Sequence, residues 1–157
     1  MVGGLIALAV VLAVASATGF AMRRRQGRFA AVPVPGAGTG TAAAPAAPGS
    51  ALSAGDLGVP LGAQATLVQF STGFCAYCGP ARKLLAEVAG QRDGVTFVEI
   101  DAAERMELTR RLRILSTPTV LVLDPLGGVT SRSSGPQRKA DIVAALGRVL
   151  APDGMPS

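Results

Sequence analysis

Cys75 and Cys78 are the only cysteines in 157 residues, and their surroundings restrict what the chain can fold into. The apolar run Thr66-Leu67-Val68-Gln69-Phe70 precedes them. After them Ala81, Leu84, Leu85, Val88 and Ala89 fall on one face of a 3.6-residue repeat. The pattern predicts a strand, a short loop and a dithiol at a helix start. A helix N-terminus carries unpaired N–H groups and about +0.5 of a charge. A thiolate there is stabilised and becomes nucleophilic near neutral pH. A second thiol three residues on can then displace any mixed disulfide the first one forms. Thiol–disulfide exchange is the chemistry such a pair suits. Two other readings stand beside it. A structural zinc takes about four ligands, usually Cys or His, and the chain has no His and no further Cys. The pair can also be two small, buried, inert residues.

The rest of the domain alternates in period. Pro80 suits the first turn of the helix after the dithiol, where its missing N–H is no loss. Val95 to Ile100 reads as the next strand. Ala103 to Leu112 reads as a helix, with Glu104 and Glu107 early and Arg110 and Arg111 late, matching the helix dipole. Ser116-Thr117-Pro118 leads into the strand Thr119 to Leu123. Asp124-Pro125-Leu126-Gly127-Gly128 marks a turn, and Val129 to Ser133 pairs back as a hairpin. A last helix over Gln137 to Leu150 shows Ile142, Val143, Leu146, Val149 and Leu150 on one face. Little regular structure is legible between Ala51 and Gln64. The element order predicts an α/β fold over residues 56–150, with a mixed central sheet of about four strands flanked by helices.

This domain resembles the thioredoxin family over about Ala65 to Leu150. Three features carry the resemblance in register: Cys75-Ala76-Tyr77-Cys78 between strand and helix, Thr117-Pro118 before a Val/Leu strand, and Gly135 after the hairpin. It implies that Cys75 is the exposed attacking thiol and Cys78 the buried resolving thiol. It also implies that Pro118 is the family's cis-proline, with Thr117, Phe74 and Tyr77 beside it meeting a bound peptide. Departures are equally specific. Phe74 replaces the usual tryptophan, leaving an apolar ring that could still shield the thiol. Ala76-Tyr77 replaces glycine-proline, a pair that helps set redox poise. Gln69 stands where a buried acid is expected and cannot take a proton from Cys78. The usual buried lysine of the next strand is absent, with Phe97 or Val98 nearby instead. The family's first strand and helix are shortened. No long insertion separates Cys78 from Pro118, unlike the larger cytochrome-c-maturation relatives.

Ahead of the domain, residues 2–22 carry no charge and are rich in Leu, Val, Ile and Ala. A helix of that length is roughly 30 Å long, enough to cross a bilayer's hydrocarbon core. Ala15-Ser16-Ala17 has the small residues of a signal-peptide cleavage site, but the positive charge follows the apolar run instead of preceding it. Arg23, Arg24, Arg25 and Arg28 form a basic cluster over 23–28 that faces anionic headgroups and favours the cytoplasmic side. We expect an uncleaved transmembrane anchor at 2–22 with the domain cytoplasmic; an extracytoplasmic domain is the alternative. The remaining 11 basic and 10 acidic residues nearly cancel, so no nucleic-acid surface is implied. Residues 29–55, built from Ala, Pro, Gly, Thr, Val and Ser up to Gly55, read as a disordered linker, and 151–157 as a disordered tail.

The resemblance and the anchor together imply a membrane-tethered protein disulfide reductase or oxidoreductase, acting as a monomer. Its partners are protein disulfide substrates, an electron-donating reductase or dithiol protein, and the lipid bilayer. It would need no cofactor or metal beyond the Cys75/Cys78 disulfide. A tethered peptide-binding or redox-sensing module without efficient turnover is the competing reading, kept open by Gln69. The preference for Arg over Lys, 13 to 2, suggests a GC-rich bacterial gene.

Overall fold

The central strand is β2 (Ala65–Ser71), every residue of which is buried. A strand covered on both faces is expected to read as a continuous apolar run, and this one does except at Thr66, Gln69 and Ser71. The computed structural model describes residues 11–17, 30–31 and 51–151. Residues 11–17 form a helix, α1. The other elements are β1 (Ala30–Ala31), α2 (Ala54–Leu57), α3 (Cys78–Gly90), β3 (Val95–Asp101), α4 (Met106–Arg111), β4 (Thr119–Leu123), β5 (Val129–Ser134) and α5 (Lys139–Leu150).

The sheet order is β1-β5-β4-β2-β3. β3 runs parallel to β2, while β4 is antiparallel to β2 and to β5. These four strands are the mixed sheet expected from sequence. The fifth strand is a correction. Ala30–Ala31, inside the stretch read as linker, pairs antiparallel with β5 on the sheet's edge. Two alanines in an Ala/Pro/Gly stretch carry no periodicity, so nothing local marked them.

Alternation along β2 sorts the core into two layers. Ala65 and Leu67 face α3 and α5, packing with Leu85, Val88, Val120, Val122, Ile142 and Leu146. Val68 and Phe70 face α2 and α4, packing with Leu57, Val98, Ile100, Leu108, Leu121 and Leu123. Helices therefore cover both faces.

Two helices begin later than expected. Asp101 Oδ1 accepts from Ala103 N, and Arg105 N donates to Asp101 O. This local turn competes with helix for residues 102–105, so α4 starts only at Met106. α5 starts at Lys139, after an extended Arg138.

The segment before β2 is more ordered than its composition suggested. Ser53 caps α2, with Asp56 N donating to its Oγ, and Ser53 N donates back to Asp56 Oδ2. Ser53-x-x-Asp56 is a capping-box signature that sequence reading could have caught. The backbone N–H of Ser53, helped by Arg111, holds the Asp56 carboxyl below its usual range. Leu52, also within the expected linker, is buried and donates its N–H to Gly127 O. Gly127 has φ +85°, and a Cβ there would lie 2.0 Å from Leu52 O, so only glycine fits this crossing.

The expected anchor at 2–22 lies mostly outside the described residues. Among the described residues, no helix is long and apolar enough to cross a membrane. The basic cluster at 23–28, residues 32–50 of the expected linker and tail residues 152–157 also lie outside them.

Candidate active site

β2 delivers the chain to one end of the sheet, and α3 starts there seven residues later. The loop between them tightens early, with Cys75 N donating to Thr72 O and Cys78 N to Cys75 O. Cys78 is the first residue of α3 and is 3% exposed, while Cys75 is partly exposed. The two are joined by a disulfide, with Cα atoms 5.4 Å apart. Cys75 is therefore the more accessible residue of the pair and Cys78 the covered one. Once the bond is reduced, the unpaired N–H groups at the head of α3 favour the thiolate form of the accessible one.

A second loop meets the first at this end. Pro118 is buried immediately before β4, and the Thr117–Pro118 peptide bond is cis. The hydroxyls of Thr72 and Thr117 lie 3.1 Å apart, a hydrogen bond between residues 45 positions apart. Pro118 O accepts from Gly135 N, and Ser116 O accepts from Thr119 Oγ1. Farther back in the same loop, Arg132 of β5 donates Nη1 to Leu112 O and Nη2 to Arg113 O. Arg113 has φ +50°, a left-handed conformation uncommon outside glycine, and these bonds hold the backbone beside it. Burial lowers the pKa of the Arg132 guanidinium, which still stays charged. Thr72 and Arg132 had no signal in the sequence, because their partners are fixed only when the sheet assembles.

The predicted site residues separate by environment. Cys75, Cys78, Thr117 and Pro118 come together at one end of the sheet. Phe74 and Tyr77 stand at the same end but point outward, at 104% and 56% exposure. Full exposure of Phe74 rules out the shielding of the thiol expected from sequence. The ring extends from the loop and covers nothing.

Gln69 lies beneath the dithiol, fully buried, and its Nε2 donates to Cys78 O at 3.0 Å. Its Oε1 has no hydrogen-bond partner among the described residues. The β3 residue paired with Gln69 is Glu99, and Glu99 is ion-paired to Arg82 of α3. The Gln69→Glu variant should therefore carry a carboxyl whose folded pKa is raised, both by burial and by the Cys78 carbonyl it faces. A carboxyl raised in the fold binds more protons folded than unfolded, so stability falls as pH rises from about 4 through the folded pKa. Each unit of that shift corresponds to about 1.4 kcal/mol. Urea midpoints of this variant and the parent should agree at the acid end, diverge as pH rises above about 4, and hold a constant gap once the folded pKa is passed.

Among the described residues, no cluster of His, Cys, Asp or Glu is arranged to hold a metal ion. The family model described as Thioredoxin matches residues 59–148. Among solved structures, a chloroplastic thioredoxin z is 28% identical with a TM-score of 0.50, covering 55% of this chain and 79% of that one. Thioredoxin-2 of a malaria parasite shares the fold at 15% identity and the same TM-score, covering 54% of this chain and 82% of its own. No curated protein sequence matches the chain.

Proposed function

We propose, for a chain that belongs to the thioredoxin family, a membrane-tethered protein disulfide oxidoreductase working through Cys75 and Cys78. The observation that carries this reading is the unequal exposure of two disulfide-bonded cysteines at the start of α3. In the reduced protein, the Cys75 thiolate attacks one sulfur of a substrate disulfide. A Cys75–substrate disulfide forms and one substrate thiolate leaves. The Cys78 thiol then gives up its proton to water and attacks the Cys75 sulfur, forming the intramolecular disulfide and releasing the second substrate thiolate. Two electrons pass to the substrate, and a reductase or dithiol protein must return two to regenerate the Cys75/Cys78 dithiol.

Thr117, Pro118, Phe74 and Tyr77 form the substrate-binding surface in this proposal. The charge-free run 2–22 anchors the chain, and the arginines at 23–28 place the domain on the cytoplasmic side, where thiols are kept reduced and the chemistry runs as reduction. On the opposite side the same domain would run as an oxidant or relay. A peptide-binding or redox-sensing role without efficient turnover is the second reading, favoured by Gln69, which offers no ionisable group beneath Cys78.

The test uses the full chain in vesicles, reduced and freed of reductant, then mixed with insulin as a disulfide protein. One equivalent of Cys75–Cys78 disulfide should appear for each insulin disulfide lost, and turnover should continue when a dithiol is supplied. Insulin disulfides that survive while the protein still binds extended peptides would leave only the second reading.

A further inference from the structure

We propose that the disulfide-bearing end of the domain faces the bilayer surface, so that its substrates are disulfides carried at headgroup height by membrane-embedded proteins. The proposal rests on the anchor reading above and adds the orientation, which β1 decides.

β2 rises toward the dithiol loop, β4 descends from Pro118, and β5 rises again until Ser134 pairs with Thr119. β1 is antiparallel to β5, with Ala30 opposite Arg132 and Ala31 opposite Ser131. β1 therefore descends, and the chain enters it from the end of the sheet that carries Cys75, Cys78 and Pro118. Ala30 sits two residues from that end, at the level of Arg132.

Chain reach and this direction together favour one orientation. Arg28 is two residues upstream of Ala30, and its Cα can be no more than about 7 Å away. Met22, the last residue of the apolar run, lies within about 29 Å even on a fully extended path. β2, with seven residues, is already about 23 Å tall. If the opposite end faced the bilayer, the basic segment would have to reverse at Ala30 and run back along the sheet.

The other attachment of the chain lies at that opposite end, where Leu52 N binds Gly127 O at the β4–β5 turn. Without β1, about 29 residues would link Met22 to Leu52 and no orientation would follow. Large exposed apolar side chains occur at both ends, Leu126 at the β4–β5 turn among them, but among the described residues the exposed aromatic rings stand only at the disulfide end. Phe74, Tyr77 and Leu115 stand out from the two loops of the disulfide end, and Leu115 is 92% exposed. Aromatic and apolar groups of this kind suit the headgroup region, where a ring can be half wet.

The chain has no tryptophan, so one introduced indole reports position alone. Leu115→Trp marks the disulfide end and Leu126→Trp the opposite end; both replace exposed side chains, so the fold is untouched. Each full-length variant is reconstituted into phosphatidylcholine/phosphatidylglycerol vesicles containing dansyl-headgroup lipid, and the vesicles are floated on a density gradient. Energy transfer should be several-fold stronger for Leu115→Trp than for Leu126→Trp. Adding Ala30→Pro and Ala31→Pro, which removes β1 pairing, should erase that difference while the protein still floats. Equal or reversed transfer in floated protein overturns the orientation and leaves the anchor standing. A difference that survives the two prolines overturns the role of β1. Protein that stays at the bottom of the gradient overturns the anchor reading, and this proposal with it.

Discussion

Cys75→Ser should lower the rate of protein disulfide exchange by at least about a thousandfold, because it removes the nucleophile that forms the covalent intermediate. Cys78→Ser should behave differently. Its Cys75 thiolate still attacks, but nothing inside the protein can displace the adduct, which accumulates as a mixed disulfide. The asymmetry follows from exposure: Cys75 reaches solvent, and Cys78 is covered at the start of α3. Acid-quenched cells expressing Cys78→Ser should show adducts on a non-reducing gel that are absent from a Cys75→Ser/Cys78→Ser control. If Cys75→Ser forms the adducts and Cys78→Ser does not, the roles are reversed. Probing intact cells of the same strain with a membrane-impermeant thiol reagent before the acid quench decides the topology. Adducts shielded until lysis fit a cytoplasmic domain, and adducts labelled in intact cells place it outside.

Phe70→Ala should remove about 3–5 kcal/mol of stability, the usual range for truncating a buried phenylalanine. Phe70 is fully buried in the layer formed with Val98, Ile100, Leu108 and Leu121. It is also paired with Thr119 and Ile100 across the sheet. A domain of this size has a total of about 5–15 kcal/mol, so the variant should lose a large share of it. The urea midpoint should fall accordingly with little change in slope. Phe70→Leu, which keeps most of the volume, should lose much less. Because Phe70 is two residues from Thr72, the same variant should also loosen the Thr72–Thr117 contact, seen as faster reduction of the Cys75–Cys78 bond by a small dithiol.

Much of the architecture is legible in the sequence. β2 to α5 each announce themselves through period, from the apolar Thr66–Phe70 run to the Ile142, Val143 and Leu146 face of α5. Asp101 shortened α4 by binding its own turn, a local effect that a helix-period reading passes over. The Ser53/Asp56 cap was readable but lay in a stretch without hydrophobic pattern. Phe74 misled because residue type suggests contact, whereas a loop decides where the ring points.

What the sequence determined by itself was local: two thiols three residues apart between a strand and a helix, and the periods that place layers on both faces of a sheet. Those properties depend on neighbours within a few residues of one another. What only the tertiary structure decided was relational. It joined Thr72 to Thr117 across 45 positions, and buried Gln69 with one amide atom paired and the other not. It also laid Ala30–Ala31 along β5 in one direction. Each of these depends on strand register and chain direction, which are set when distant segments pack and which no short window of residues encodes.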